Sequence, residues 1–203
     1  RSRNRNIFEC YGNVFFITST IVGSIKVFND CAIAKIFIGT LDFYQKRGDF
    51  IILAYVLMPN HFHLIIKVNK ELTVSKCIGN VKRLTSRRIG DHLRASCSRD
   101  LLAQLEKAAA NEPTGDSKVW QYRFDCFVIN NEATLVQKIE YIHRNPVKAG
   151  LVESAEDWNF RAQKIILLEA KGYYMLMWSG VVCSNMDAVR KGFLTAQCKD
   201  MIV

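Results

Sequence analysis

The strongest constraint in this chain is a pair of apolar runs separated by two residues. Phe50 to Met58 reads FIILAYVLM, Pro59 and Asn60 interrupt it, and His61 to Val68 resumes as HFHLIIKV. Both runs are rich in β-branched and aromatic residues, which favour extended backbone. Proline fixes φ and asparagine tolerates the backbone of a reversal, so the interruption has turn chemistry. Two strands joined at Met58-Pro59-Asn60 are the simplest solution, and they make an antiparallel hairpin. The longest uninterrupted apolar stretch, Phe50 to Met58, is far too short to cross a bilayer as a helix.

The flanking segments extend this hairpin into a sheet with helices. Val14 to Ile21 (VFFITSTI) reads as a first strand, and Cys31 to Tyr44 as a helix with apolar residues at 33, 36, 37, 41 and 44. Val74 to about Leu93 is helical, with Ile78, Val81, Leu84 and Ile89 on its apolar side. A short helix over Leu101 to Ala110 and a linker, Asn111 to Ser117, precede a strand expected over Trp120 to Ile129. Asn130 or Asn131 can cap a last helix through Leu135, Ile139 and Ile142, which Pro146 is expected to end near Asn145. This order predicts an α+β fold: a ferredoxin-like split βαβ with a four-stranded antiparallel sheet and helices on one face. The helix around Tyr141 is an addition to it. Residues 1–160 are expected to form one domain, with residues 161–203 a C-terminal extension, helical and apolar in patches.

Charge narrows the partner. Twenty-eight Lys and Arg against 19 Asp and Glu give a net charge of +9, which favours a polyanion. Between Lys76 and Arg99 lie seven basic residues and one acid, Asp91. Lys82, Arg83, Arg87 and Arg88 fall largely off the apolar side of their helix, as a DNA-contacting face would require; a merely solvated face is the alternative. Seven scattered cysteines without a Cys-x-x-Cys pair suit neither a disulfide framework nor a zinc knuckle. A reducing cytoplasm and no membrane association are the expectations.

Two small constellations carry chemistry. His61 and His63 stand at i and i+2 of a strand, so both imidazoles share one face and Phe62 takes the other. Such a pair is a half-site for a divalent metal, or else two structural histidines. Tyr141 and Asn145 are four apart on a helix and share a face distinct from that of Leu135, Ile139 and Ile142. They can serve as nucleophile and amide ligand, or pack as an ordinary surface pair.

Tyr55 to Lys67 (YVLMPNHFHLIIK) and Lys138 to Asp157 (KIEYIHRNPVKAGLVESAED) together resemble the IS200/IS605-type Y1 transposases, most closely their REP-associated tyrosine transposase branch. His61-Phe62-His63 matches the His-hydrophobic-His motif of that family. Tyr141 to Pro146 matches its Tyr-Ile-x-x-Asn-Pro segment, and Lys82 to Arg88 (KRLTSRR) is similar to its basic helix. The likeness covers about residues 10 to 160. It implies that Tyr141 is the nucleophile of a 5′-phosphotyrosine bond to DNA. It further implies that His61, His63 and Asn145 hold Mg²⁺ or Mn²⁺, and that the partner is a single-stranded or hairpin DNA end.

The chain departs from the family pattern at Cys126 and Asn130, where a histidine and an arginine are expected. It departs again after Trp158, where Asn159, Phe160 and Arg161 replace a serine pair. His143 is an alternative ligand, but it leaves the helix in another direction from Tyr141. A monomer is expected, with a dimer the alternative. Two other functions compete: a non-enzymatic nucleic-acid-binding ferredoxin-like domain, and a small metal-dependent phosphoesterase that needs no tyrosine.

Overall fold

A computed structural model describes residues 14–113 and 119–163. Of the expected extension over residues 161–203, all but the first three residues lie outside the described residues. Four strands form the antiparallel core of the sheet: β1 (Val14–Thr20), β2 (Phe50–Met58), β3 (His61–Val68) and β4 (Asp125–Ile129). They lie in the order β4-β1-β3-β2, and a short β5 (Arg161–Gln163) adds to the outer side of β2. Among the described residues four α-helices accompany them: α1 (Cys31–Lys46), α2 (Val74–Ala95), α3 (Arg99–Ala109) and α4 (Glu132–Lys148). Local signals start three of these. Asp30 accepts from the Ala32 N–H at 2.7 Å, Thr73 from Lys76 at 3.2 Å, and Asn131 from Thr134 at 2.8 Å, each satisfying an otherwise unpaired first-turn donor.

The sheet is covered on both faces. Phe15, Ile17, Phe62 and Leu64 point to one face, where Phe37 and Leu41 of α1 and Ile78 and Val81 of α2 close the larger core. Trp120 sits within it, its ring 5.3 Å from that of Phe62 and 5.7 Å from that of Phe37. Val56, Met58 and Ile65 point to the other face, against Ile139 and Ile142 of α4. Burial on both faces explains why the hairpin sequence shows little apolar–polar alternation. A β-bulge at Leu53 adds to this, because pairing steps from Ile52↔Ile66 to Ala54↔Ile65. Phe50 and Ile52 face the larger core before the bulge, and Tyr55 and Leu57 do so after it. One extra residue thus inverts which parity of β2 faces which layer.

Three expectations are corrected. The strand expected over Trp120 to Ile129 pairs continuously only from Asp125; Trp120 makes one bridge, to Ile21. Burial of the indole in the larger core anchors residue 120, while side chains hold the next residues off the ladder. Lys82 Nζ donates to the carbonyls of Gln121 at 2.7 Å and Tyr122 at 3.3 Å, and Glu112 accepts from the Tyr122 N–H at 2.8 Å. Lys82 therefore does not belong to the exposed basic face: it is 7% exposed and serves this tie.

Helix α4 also passes through Pro146 rather than ending before it. Proline removes one helical N–H, but its ring is buried, and the last turn closes through Ala149 N–H to Asn145 O at 2.9 Å. Gly150, at φ 66°, then ends the helix in the left-handed conformation that glycine adopts without strain.

Candidate active site

The site begins on β3, in the middle of the sheet. His61 and His63 project toward the α4 side, as their i, i+2 spacing requires, with ring centroids 4.9 Å apart. Each has its Nδ1 engaged. Asn60 Nδ2 donates to the Ser24 carbonyl at 3.3 Å, which turns Oδ1 toward His61, 2.7 Å from Nδ1. An amide oxygen only accepts, so His61 Nδ1 carries the proton and Nε2 the lone pair. The Thr18 hydroxyl lies 2.7 Å from His63 Nδ1, across the Thr18↔His63 register of β1 and β3. A hydroxyl both donates and accepts, so this contact orients the His63 ring and leaves Nε2 as its unengaged nitrogen without setting the tautomer. Burial, with help from nearby His61 and Lys138, pushes His63 down to about 3; burial also lowers His61. Both rings are thus held neutral, the form in which imidazole binds a metal.

Helix α4 supplies the rest. Ile139, Ile142 and Pro146 are its buried side. Tyr141 and His143 leave the helix about 200° apart, on opposite flanks of that side. Tyr141 emerges toward the histidines, with its ring 5.3 Å from that of His63 and 5.9 Å from that of Phe16. Phe16, on β1, stacks on His63 at 5.5 Å with the planes 16° apart. The Tyr141 side chain stays 38% exposed, open to a large substrate. Asn145 Nδ2 donates to the Tyr141 carbonyl at 2.8 Å, leaving its amide oxygen as the atom available to a cation. Among the described residues no group of three His, Cys, Asp or Glu side chains could hold a metal. A metal on the two imidazoles would therefore take its next protein donor from another chemistry, and the Asn145 carboxamide is such a donor.

The model for the family described as "Transposase IS200 like" matches residues 17–145, a span that contains the second half of β1, the two histidines, Tyr141 and Asn145. The chain belongs to the IS200-like transposase family.

Relatives agree with that placement. This family member is 29% identical to the REP-associated tyrosine transposase of Escherichia coli (strain K12) over 138 residues, 68% of each chain. A Haemophilus influenzae protein provisionally given the same name is 27% identical over 113 residues, 53% of this chain and 55% of that one. The solved structure of a REP-associated tyrosine transposase bound to a REP hairpin shares the fold. It aligns at a TM-score of 0.55 and 22% identity, over 87% of this chain and 91% of that chain.

Within this IS200-like fold the predicted residues fall into two groups. His61, His63 and Tyr141 meet on one face of the sheet, with Asn145 one turn along the same helix. Arg83, Arg87 and Arg88 lie on α2, which packs against the opposite face. Arg83 and Arg87 are exposed there, while Arg88 donates to Thr40 Oγ1 at 3.2 Å and is half-buried against α1. Cys126, one of the departures from the family pattern, also faces the larger core, away from the histidines. Trp158 donates from Nε1 to the Leu57 carbonyl at 2.9 Å and packs beside α4.

Sequence reasoning passed over the cations nearest the tyrosine. Lys138 Nζ lies 5.7 Å from the Tyr141 ring centroid, and so does Lys148 Nζ. Helical spacing could have found them, since positions 138, 141, 145 and 148 share one stripe. Lys148 was hidden by the expectation that Pro146 ends the helix. Thr18 and Asn60 had no local signal, because their roles depend on strand register and on a turn contact.

Proposed function

We propose that this IS200-like family member cleaves and rejoins single-stranded DNA at a hairpin-bearing end, with Tyr141 as nucleophile. The observation that carries this reading is the meeting of His61, His63 and Tyr141, residues from β3 and α4, on one open face. A phosphoesterase that used only the histidines would have no use for a tyrosine there, and a pure binding module no use for two neutral, oriented imidazoles. The hairpin is inferred from the likeness to REP-associated tyrosine transposases.

The Tyr141 oxygen attacks the scissile phosphorus, the bond from phosphorus to the 3′ oxygen breaks, and the phenolic proton ends on the departing 3′-OH. The 5′ phosphate remains esterified to Tyr141. Attack by a 3′-OH reverses the exchange, so cleavage and rejoining need no nucleotide cofactor. Exposure of Tyr141 leaves room for in-line approach of a strand. Lys138 and Lys148, each with its Nζ 5.7 Å from the ring centroid, favour the charge that develops on the attacking oxygen and the phosphate.

The donor set, two imidazole nitrogens and one amide oxygen, suits a divalent cation: the Nε2 atoms of His61 and His63 with the amide oxygen of Asn145 would hold Mg²⁺ or Mn²⁺. The chemistry such an ion supplies when bound is Lewis-acid polarisation of the scissile phosphate. Asn60 fixes the His61 tautomer, Thr18 orients the His63 ring, and Asn145 is oriented by the Tyr141 carbonyl.

The test is a denaturing gel with labelled hairpin oligonucleotides from the DNA flanking the gene, run with Mn²⁺, Mg²⁺ or EDTA. A protease-sensitive protein–DNA adduct that needs metal and vanishes in Tyr141→Phe is the expected result. Metal-dependent cleavage unchanged in Tyr141→Phe would sink the nucleophile assignment.

A further inference from the structure

The face that presents Tyr141 continues to the edge of the sheet, and it does so through aromatic rings. Phe16 and Phe127 are direct cross-strand partners of β1 and β4. Phe127 lies on the edge strand and is 44% exposed. Lys138 Nζ sits 4.8 Å from the Phe16 centroid and 5.2 Å from that of Phe127, as well as beside Tyr141. Edge-strand Phe127, Phe16 and Tyr141 are thus joined under one ammonium group.

An exposed aromatic ring beside a mobile cation is the pairing that single-stranded nucleic acid requires. The ring offers a face to a base of any identity, and the cation meets the phosphate. Lysine suits this use, because its flexible stem lets the ammonium swing from the rings to a phosphate. The alternative explanation, an aromatic covered by its own domain, does not account for the exposure of Phe127.

We propose that Phe127, Phe16 and Lys138 form a nucleotide subsite, in which a base next to the cleaved phosphate stacks on Phe127 and its phosphate meets Lys138. This deepens the reading of Tyr141 as a DNA nucleophile and rests on it for the position of the strand. It also gives β4 a function that the α2 arginines, on the far face, cannot supply.

The test is binding rather than cleavage, so that the two readings can fail separately. Fluorescence anisotropy in EDTA would measure the Kd of hairpin oligonucleotides with a single-stranded tail, one abasic residue being moved along the tail. In the wild type one abasic position should weaken binding more than its neighbours. Phe127→Ala should raise the Kd of the intact oligonucleotide about 5- to 100-fold and abolish the penalty at that position. Phe127→Trp should restore both. Lys138→Gln should lower the slope of log Kd against log salt by about 0.7.

Circular dichroism guards against misfolding, although the exposed Phe127 side chain carries little of the core. An unchanged Kd in Phe127→Ala, or abasic penalties that persist in it at every position, would overturn the subsite. A normal Tyr141 adduct beside that result would leave the cleavage reading standing. A base-specific penalty lost in Phe127→Ala, without any adduct, would uphold the subsite and remove the nuclease.

Discussion

Thr18 Oγ1 lies 2.7 Å from Nδ1 of His63, across 45 residues of sequence and one strand register. The contact orients the ring and leaves Nε2 as the nitrogen free to face a ligand. Partners of this kind typically change metal affinity about 10- to 100-fold when removed. Thr18→Val keeps the shape and deletes the hydroxyl. It should raise the Mn²⁺ concentration for half-maximal adduct formation by that factor while sparing the yield at saturating metal. A metal titration in the gel assay measures it; an unshifted midpoint would argue that His63 binds no ion.

Acid should destabilise the metal-free chain through His63. The folded chain protonates this ring near 3, against an ordinary 6.5. Between those values the unfolded chain binds the extra proton, so stability is complete above about 6.5 and falls as pH drops toward 3. His61, also lowered by burial, acts in the same direction. Urea unfolding in EDTA at neutral pH and at about pH 4.5 should show the loss, smaller in His63→Gln.

Lys82 should prove structural. Its ammonium bonds to the Gln121 and Tyr122 carbonyls, so Lys82→Met leaves those acceptors short of a donor. A loss of about 1–3 kcal/mol in urea unfolding is expected, with the salt dependence of DNA binding unaltered in the folded fraction. Arg87→Gln, on the exposed side of α2, should leave stability within about 0.5 kcal/mol of the wild type.

Asn131 caps the helix that carries Tyr141, the proposed nucleophile. Asn131→Ala removes the bond to the Thr134 N–H and should cost about 1 kcal/mol. Because α4 presents Tyr141 to His63, adduct formation should slow as well. Asn131→Asp should recover both, since aspartate caps equally well and suits the positive end of the helix dipole. Thermal unfolding and initial adduct rates distinguish this from a purely local effect.

Some of this protein is written within a few turns of its sequence. A period of two puts His61 and His63 on one side of β3, and a period of 3.6 separates Tyr141 and Asn145 from Ile139 and Ile142. The Pro59-Asn60 break sets the hairpin, and Asp30, Thr73 and Asn131 start their helices. These are local preferences of backbone and turn residues, so neighbouring residues suffice to state them.

Other features exist only because distant segments compete for the same buried surface. Whether α4 covers the bare face of the sheet depends on the apolar areas of Val56, Met58 and Ile65 finding Ile139 and Ile142, and that choice brings Tyr141 to His63. The bulge at Leu53 reverses the parity of a strand whose uniformly apolar sequence carries no alternation to read. Lys82 looks like its exposed neighbours in sequence, yet it turns inward because two carbonyls near Trp120 need a donor. Pro146 reads as a stop signal, but burial of its ring lets the helix carry Lys148 to the tyrosine. Periodicity determined which residues share a face; long-range burial decided which faces meet.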